Sequence, residues 1–173
     1  MKNILLIALI GFSLISCQER AAETEETTDP NLEAFEKNTE ATKQLIDSFI
    51  QKDLEGMRSF LSDDFYYIGP VYGEDSINVD AWMEREQYFM DTYDDLKFED
   101  PLFFAGLAED MTPNGDVRIY GTWTFTHKES GWSGGVIYYS VLFFNDEGKV
   151  IRIMDWFNTS DLEPLEPDEN TEG

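Results

Sequence analysis

Cysteine and histidine are almost missing from this chain, with one of each in 173 residues. A single thiol and a single imidazole cannot assemble a Cys/His zinc site, and one thiol cannot close an intrachain disulfide. Basic residues are scarce too: 12 Lys and Arg stand against 36 Asp and Glu, a formal net charge of −24. That balance argues against nucleic acid as a partner, because phosphate backbones are held by Lys and Arg. No motif calls for a cofactor or a metal. Gly131, Gly134 and Gly135 fall between strands as hairpin backbone and do not form a phosphate loop. Asp63-Asp64 lacks the regular acid spacing and closing Glu of a calcium loop and reads as a turn at a helix end. Aromatic residues, by contrast, are plentiful: 13 Phe, 8 Tyr and 4 Trp. The chain therefore has the apolar surface to build one core of ordinary domain size.

The opening segment has a positive residue, Lys2, and then an apolar run from Ile4 to Ile15 broken only by Gly11 and Ser13. The run is too short for a membrane-spanning helix, which takes ~20 residues, and fits the hydrophobic region of a secretory signal. It ends Leu14-Ile15-Ser16-Cys17, which resembles the bacterial lipobox, with an apolar residue three before the Cys and a small one directly before it. The resemblance implies that residues 1–17 are a lipoprotein signal ending in a lipidated Cys17. It also implies that the mature protein is anchored to a membrane of the bacterial cell envelope, on the periplasmic side or at the cell surface. A single acyl chain, at ~0.8 kcal/mol per buried CH₂, anchors only marginally, whereas the several chains of a lipoprotein hold firmly. Cys17 is expected to be an anchor and not a catalyst.

Residues 18–31, beginning QERAAETEETTDP, contain repeated acids and no aromatic residue, and read as a flexible tether. Residues 160–173 (SDLEPLEPDENTEG) have the same character and are expected to be a disordered tail. That leaves 32–159 as one folded domain. In its first half, Ala41, Leu45 and Phe49, with Ile46 and Ile50 beside them, form the stripe of an amphipathic helix over 32–52. Asp53 can cap a short second helix through Leu54, Met57, Phe60 and Leu61. Phe65–Ile68 reads as a strand stopped by Gly69-Pro70, and Val79–Tyr93 as a third helix with Trp82, Phe89, Met90 and Tyr93 inward. The second half switches to strand periodicity: 96–107, interrupted by Pro101, then 117–128, 136–144 and 149–157, with Asn145-Asp146-Glu147-Gly148 as a hairpin loop. Helices first and an antiparallel sheet after make an α+β arrangement.

The stretch Lys43–Asp64, KQLIDSFIQKDLEGMRSFLSDD, and the closing segment FNDEGKVIRIMDWF (Phe144–Phe157) resemble the first two helices and the last hairpin of the nuclear-transport-factor-2-like (NTF2-like) superfamily, with its SnoaL-like and ketosteroid-isomerase branches. The resemblance implies a cone in which a strongly curved sheet wraps the N-terminal helices and leaves an apolar pocket. It does not imply one activity, because members of the superfamily catalyse, bind or assemble partners. Set against the isomerase branch, the positions of the carboxylate base and of the two oxyanion donors hold Gly69, Leu45 and Ser140. Leu45 cannot donate a hydrogen bond, so ketosteroid-isomerase chemistry is not expected.

If Phe144 pairs with Lys149, Asp155 faces Tyr138. If Lys128 pairs with Ser133, Tyr138 faces Trp123. Trp123, Tyr138 and Asp155 then form one row, flanked by Ser140, Ile153 and Phe157. The resemblance puts that side on the concave, pocket face. Asp155 among aromatic rings would have a raised pKa, as suits a general acid or base. His127 sits ~10 Å or more along the sheet from Asp155, too far for a direct dyad, and reads as a rim residue. Tyr66, Tyr67 and Tyr72 read as packing residues near the pocket mouth. Ile137, Tyr139, Val141 and Phe143 make the opposite, convex face apolar, which is expected to join two copies as a homodimer. The reading favoured is a lipid-anchored envelope protein whose pocket holds a small, largely apolar ligand. The alternatives are a SnoaL-like enzyme using Asp155 with Tyr138, and a module that meets another envelope protein.

Overall fold

The computed structural model describes residues 29–162. The proposed signal, Cys17, most of the tether and residues 163–173 lie outside them. The first helix, α1 (Pro30–Ile50), starts two residues earlier than its apolar stripe suggests. The cause is local: the Asp29 side chain accepts from the Asn31 N–H, and Pro30 occupies the first turn, where its missing N–H costs nothing. Its buried face is also more polar than the stripe suggested, since Asn38 and Thr42 are buried along with Leu45. Both polar side chains are satisfied, Asn38 by donating to the Gly115 carbonyl (2.9 Å) and Thr42 to the carbonyl of Asn38 (2.8 Å). The helix stops as Lys52 turns into the left-handed region (φ 60°).

Asp53 caps α2 (Leu54–Phe60) by accepting from the Gly56 N–H. The chain then passes directly into β1 (Leu61–Ile68). Asp63 and Asp64 therefore sit in a strand and not in the helix-end turn expected of them. They are exposed there because the pairing slips between Leu61 and Tyr66, and Asp63 pairs with Arg58 at 2.5 Å. The two-residue strand β2 (Ile77–Asn78) was not anticipated. It leads into α3 (Val79–Thr92), whose first turn is capped by the Asn78 side chain. The remaining strands are β3 (Tyr93–Leu107), β4 (Pro113–His127), β5 (Ser133–Phe144) and β6 (Val150–Trp156).

These six strands form one sheet in the order β2-β1-β6-β5-β4-β3, antiparallel except where β1 runs parallel to β6. Register shifts interrupt β3 between Asp94 and Lys97, between Glu99 and Leu102, and between Ala105 and Leu107. Two of them coincide with left-handed backbone at Asp95 and Asp100. Bulges of this kind bend a strand and add twist, which curls the sheet around the helices. The two later hairpins keep the expected faces but not the expected partners. Asp155 lies opposite Ser140, and Tyr138 opposite Gly121, each displaced by two residues. A shift of two preserves which face a side chain is on, whereas a shift of one would have reversed it. The β4–β5 loop is longer than assumed because Thr126, not Lys128, pairs with Ser133.

The main core joins Leu45, Met57, Phe65, Tyr67, Trp82, Met90, Val117, Ile119, Leu142 and Ile153, with α1–α3 against the concave face. A second cluster of Tyr93, Leu96, Phe125 and Val136 sits at the other end of the sheet. Past β6 the chain does not leave the fold at residue 160. A 3₁₀ turn (Thr159–Leu162) returns to that cluster, where the Leu162 carbonyl accepts from the Tyr93 hydroxyl at 2.9 Å and its side chain packs on the aromatic residues. The acidic composition of the segment hid one well-placed leucine. On the convex face, Phe104, Tyr120, Tyr139 and Trp156 run across four strands as a ladder of rings, with centroids 5.8, 4.6 and 5.0 Å apart, beside Ile137 at 81% exposed. Among the described residues no helix is long and apolar enough to cross a membrane.

Candidate functional site

The helices stand away from part of the concave face and leave a cavity of about 130 Å³. Its walls are mostly apolar: Leu45, Ile46 and Phe49 from α1, Trp82 and Phe89 from α3, and Ile119, Trp123, Phe125, Val136, Leu142 and Ile153 from the sheet. Alternation explains the sheet side. Val117, Ile119, Trp123 and Phe125 share one face of β4, and the matching face of β5 carries Val136, Tyr138, Ser140 and Leu142.

Five of the six residues expected at the site line the cavity: Trp123, Tyr138, Ile153, Asp155 and Phe157. Trp123 and Tyr138 no longer share a row with Asp155, yet their rings still meet edge to face at 6.3 Å, and Tyr138 lies 6.0 Å from the Phe157 ring. Ser140 is fully buried opposite Asp155, behind the residues that line the cavity, where its hydroxyl supports the Asp155–Tyr138 pair. Of the isomerase-branch positions, Leu45 is a wall residue. Gly69 sits behind Tyr67 and Arg85, where a Cβ would come within 3.2 Å of the Tyr67 ring. His127 is outside the cavity; its Nδ1 faces the N–H of Ser130 at 3.2 Å and its ring meets Tyr93. Tyr72 is exposed, and Tyr66 accepts from Arg152 on the convex side.

Asp155, 8% exposed, accepts from the Tyr138 hydroxyl at 2.6 Å. A bond this short between a phenol and a carboxyl oxygen is of the strong, charge-assisted kind. Burial pushes the Asp155 carboxyl above the ordinary carboxylate range, although the Tyr138 hydroxyl and the positive charge of Arg85 pull it part of the way back. Burial and the nearby Asp155 charge likewise push the Tyr138 phenol well above its usual value.

Two polar residues of the wall escaped the sequence reading: Arg85 and Glu86, adjacent on α3. The signal was there. Trp82, Glu86 and Met90 are spaced by four, and Arg85 is followed four later by Phe89, so a charged pair interrupts the buried stripe of an amphipathic helix. The Arg85 guanidinium lies over the Tyr67 ring (4.4 Å) and near that of Phe89 (5.5 Å). Glu86 is pushed up to about 8 by burial, against the pull of Arg85 and with a further push from Asp155. At neutral pH it is mainly a neutral carboxylic acid and so a hydrogen-bond donor. Tyr67, read as a packing residue, does pack, and its buried hydroxyl lies between Arg85 and Asp155, while the buried indole N–H of Trp82 lacks a partner. The pocket thus offers one carboxyl–phenol pair, one cation, one carboxyl that keeps its proton, and a large apolar wall. Among the described residues no three His, Cys, Asp or Glu side chains gather where they could hold a metal ion.

No family model matches the sequence, and no curated protein does. Solved structures match it well in shape. AclR, a candidate hydroxylase from Streptomyces galilaeus, superposes with a TM-score of 0.61 at 19% identity, over 74% of this chain and 93% of that one. An NTF2-like protein from Burkholderia xenovorans LB400 gives 0.59 at 17% identity, over 74% and 94%. A candidate SnoaL-like polyketide cyclase from Shewanella denitrificans OS-217 gives 0.58 at 10% identity, over 72% and 93%. At such identities the likeness carries the fold and not the chemistry. The curved six-stranded sheet, the three helices it wraps and these neighbours together give this chain the NTF2-like fold.

Proposed function

We propose that this domain binds a small, largely apolar molecule in its cone, with Asp155 and Tyr138 as the polar end of the pocket. One observation carries the reading: a cavity walled by aliphatic and aromatic side chains ends on a buried carboxyl–phenol pair 2.6 Å apart. Apolar pockets with a few converging polar groups are the usual form of a small-molecule site. Native mass spectrometry of the protein purified from its own host should show a non-covalent adduct of small mass. A protein that emerges empty, and takes up nothing from a screen of small apolar compounds, would remove the basis for this reading.

A second reading, proton transfer to or from a bound substrate, is favoured by the raised pKa of Asp155 and its fixed contact with Tyr138. The neighbours in shape include a candidate polyketide cyclase from Xanthomonas campestris and a candidate isomerase from Bacillus subtilis. In this reading Asp155 moves the proton and Tyr138 fixes its position and supports its charge. Asp155→Asn would then lower turnover at least ~10²-fold, the usual scale of acid–base catalysis, with ligand affinity nearly unchanged. Loss of affinity in step with turnover would return Asp155 to a binding role.

The lipobox-like end of the leader supports placement of the domain at an envelope membrane, held by Cys17 at the end of an acidic tether. The exposed ring ladder supports a homodimer through the convex face.

A further inference from the structure

The pocket wall carries a positive charge that no carboxylate of the described residues meets in a direct ion pair. Among the described residues, the ion pairs within 4.0 Å are Lys43–Glu40, Lys52–Asp94, Arg58–Asp63 and Lys128–Asp94, and none involves Arg85. Its contacts are the ring faces of Tyr67 and Phe89 and the Tyr67 hydroxyl, a neutral acceptor that can take only part of what its five N–H groups offer. Beside it the indole N–H of Trp82 is a buried donor without an acceptor, on a ring 6.4 Å from that of Tyr67. A buried donor left unpaired is costly. The acids near Arg85 do not fill the deficit. Glu86 keeps its proton to about pH 8, and Asp155 is engaged with Tyr138. The groups facing Arg85 are therefore Glu86 on its own helix, Tyr67 of β1 and Asp155 of β6, with Tyr138 of β5 behind Asp155.

What this wall is missing is an anionic acceptor. We propose that Arg85 is a subsite for a ligand carboxylate, so that the pocket takes a small apolar monoacid with its acid group on Arg85 and its hydrocarbon part against Leu45, Phe49, Trp123 and Val136. The proposal rests on the reading of the cone as a binding pocket and narrows it. A guanidinium offers two parallel N–H groups that match the two oxygens of a carboxylate, which neither an alcohol nor an amide can reproduce. Size sets the rest. A cavity of about 130 Å³ is close to the ~150 Å³ of an apolar cavity that holds benzene. One six-membered ring or a short branched chain fits, with the acid on a short arm.

The test compares three probes of one shape on the full chain by titration calorimetry: phenylacetate, phenylacetamide and phenethylammonium. Phenylacetate is expected to bind at least tenfold more tightly than the amide, with the ammonium weakest. Arg85→Gln should erase the preference for the acid, and Arg85→Lys should restore part of it. The comparison of acid and amide needs no variant, so it decides the matter even if Arg85→Gln fails to fold. Equal or tighter binding of the amide would overturn the carboxylate subsite while leaving the pocket a binding site. Failure of all three probes to bind would overturn the subsite and count against the binding reading itself.

Discussion

Glu86 is the residue whose protonation this fold controls most directly. Its pKa stands at about 8 in the folded chain against an ordinary 4.5, so between those values the folded state holds a proton that the unfolded state has released. Stability then falls as pH rises through that window, by about 1.4 kcal/mol for each unit actually realised. Glu86→Gln keeps the shape and removes the titration. Urea unfolding from pH 5 to 8.5 should show a flatter profile for Glu86→Gln, and at pH 8 a variant more stable than the wild type by at least that one-unit amount. Parallel profiles would mean that Glu86 is ionised throughout. Sequence made half of this site readable. Strand alternation put Asp155 and Tyr138 on one face, and the family resemblance marked that face as the concave one. Arg85 and Glu86 stayed hidden, because a polar interruption in a helix is blurred by a period of 3.6 and by long side chains that often reach solvent.

At the scale of elements, β3 and β4 are joined by a close approach that depends on one missing side chain. Gly121 lies opposite Tyr138, and a Cβ there would fall 2.4 Å from the tip of the Phe98 ring. Gly121→Ala must push Phe98 against Trp123, whose ring centroid is 4.6 Å away, in a wall already filled. The expected cost is about 1–3 kcal/mol, the range for overpacking a core, read as a lower urea midpoint with unchanged slope. Unaltered stability would show that this wall yields easily. The hairpin registers show how far sequence reaches at this level. Faces were legible because every strand alternates, while exact partners depended on loop length and on bulges that no local pattern announces. Likewise Asp29-Pro30 started α1 earlier than its hydrophobic stripe, because a cap and a proline define a helix end better than composition does.

Over the whole molecule, a charge of −24 keeps copies apart except where a surface carries few acids and many rings. The convex ladder is such a surface, with Arg118 and Arg152 among its aromatics, and it is the face on which two copies can approach. Light scattering on the purified protein should give twice the chain mass, and Ile137→Glu, at a position 81% exposed in the single chain, should return it to one copy without loss of folding. A wild type that is monomeric at micromolar concentration would end the dimer proposal. Membrane fractionation addresses the anchor in the same direct way: wild type with the membranes, Cys17→Ser in the soluble fraction, and no difference between them if residue 17 carries no lipid.

The bends in β3 have an effect beyond shaping the cone. This strand is the outer rim of the sheet, and its course is broken by Pro101, by left-handed Asp95 and Asp100 and by three slips in its pairing with β4. At the opposite rim, two-residue β2 covers Tyr66 and Tyr67, and the rest of β1 is bent by the slip in its pairing between Leu61 and Tyr66. Neither offers the straight row of amides and carbonyls along which a foreign chain could zip. A fold so rich in phenylalanine and tyrosine would otherwise be a seed for fibrils; with both rims spoiled, concentrated samples should stay clear, and crowding should press broad surfaces together instead of lengthening the sheet.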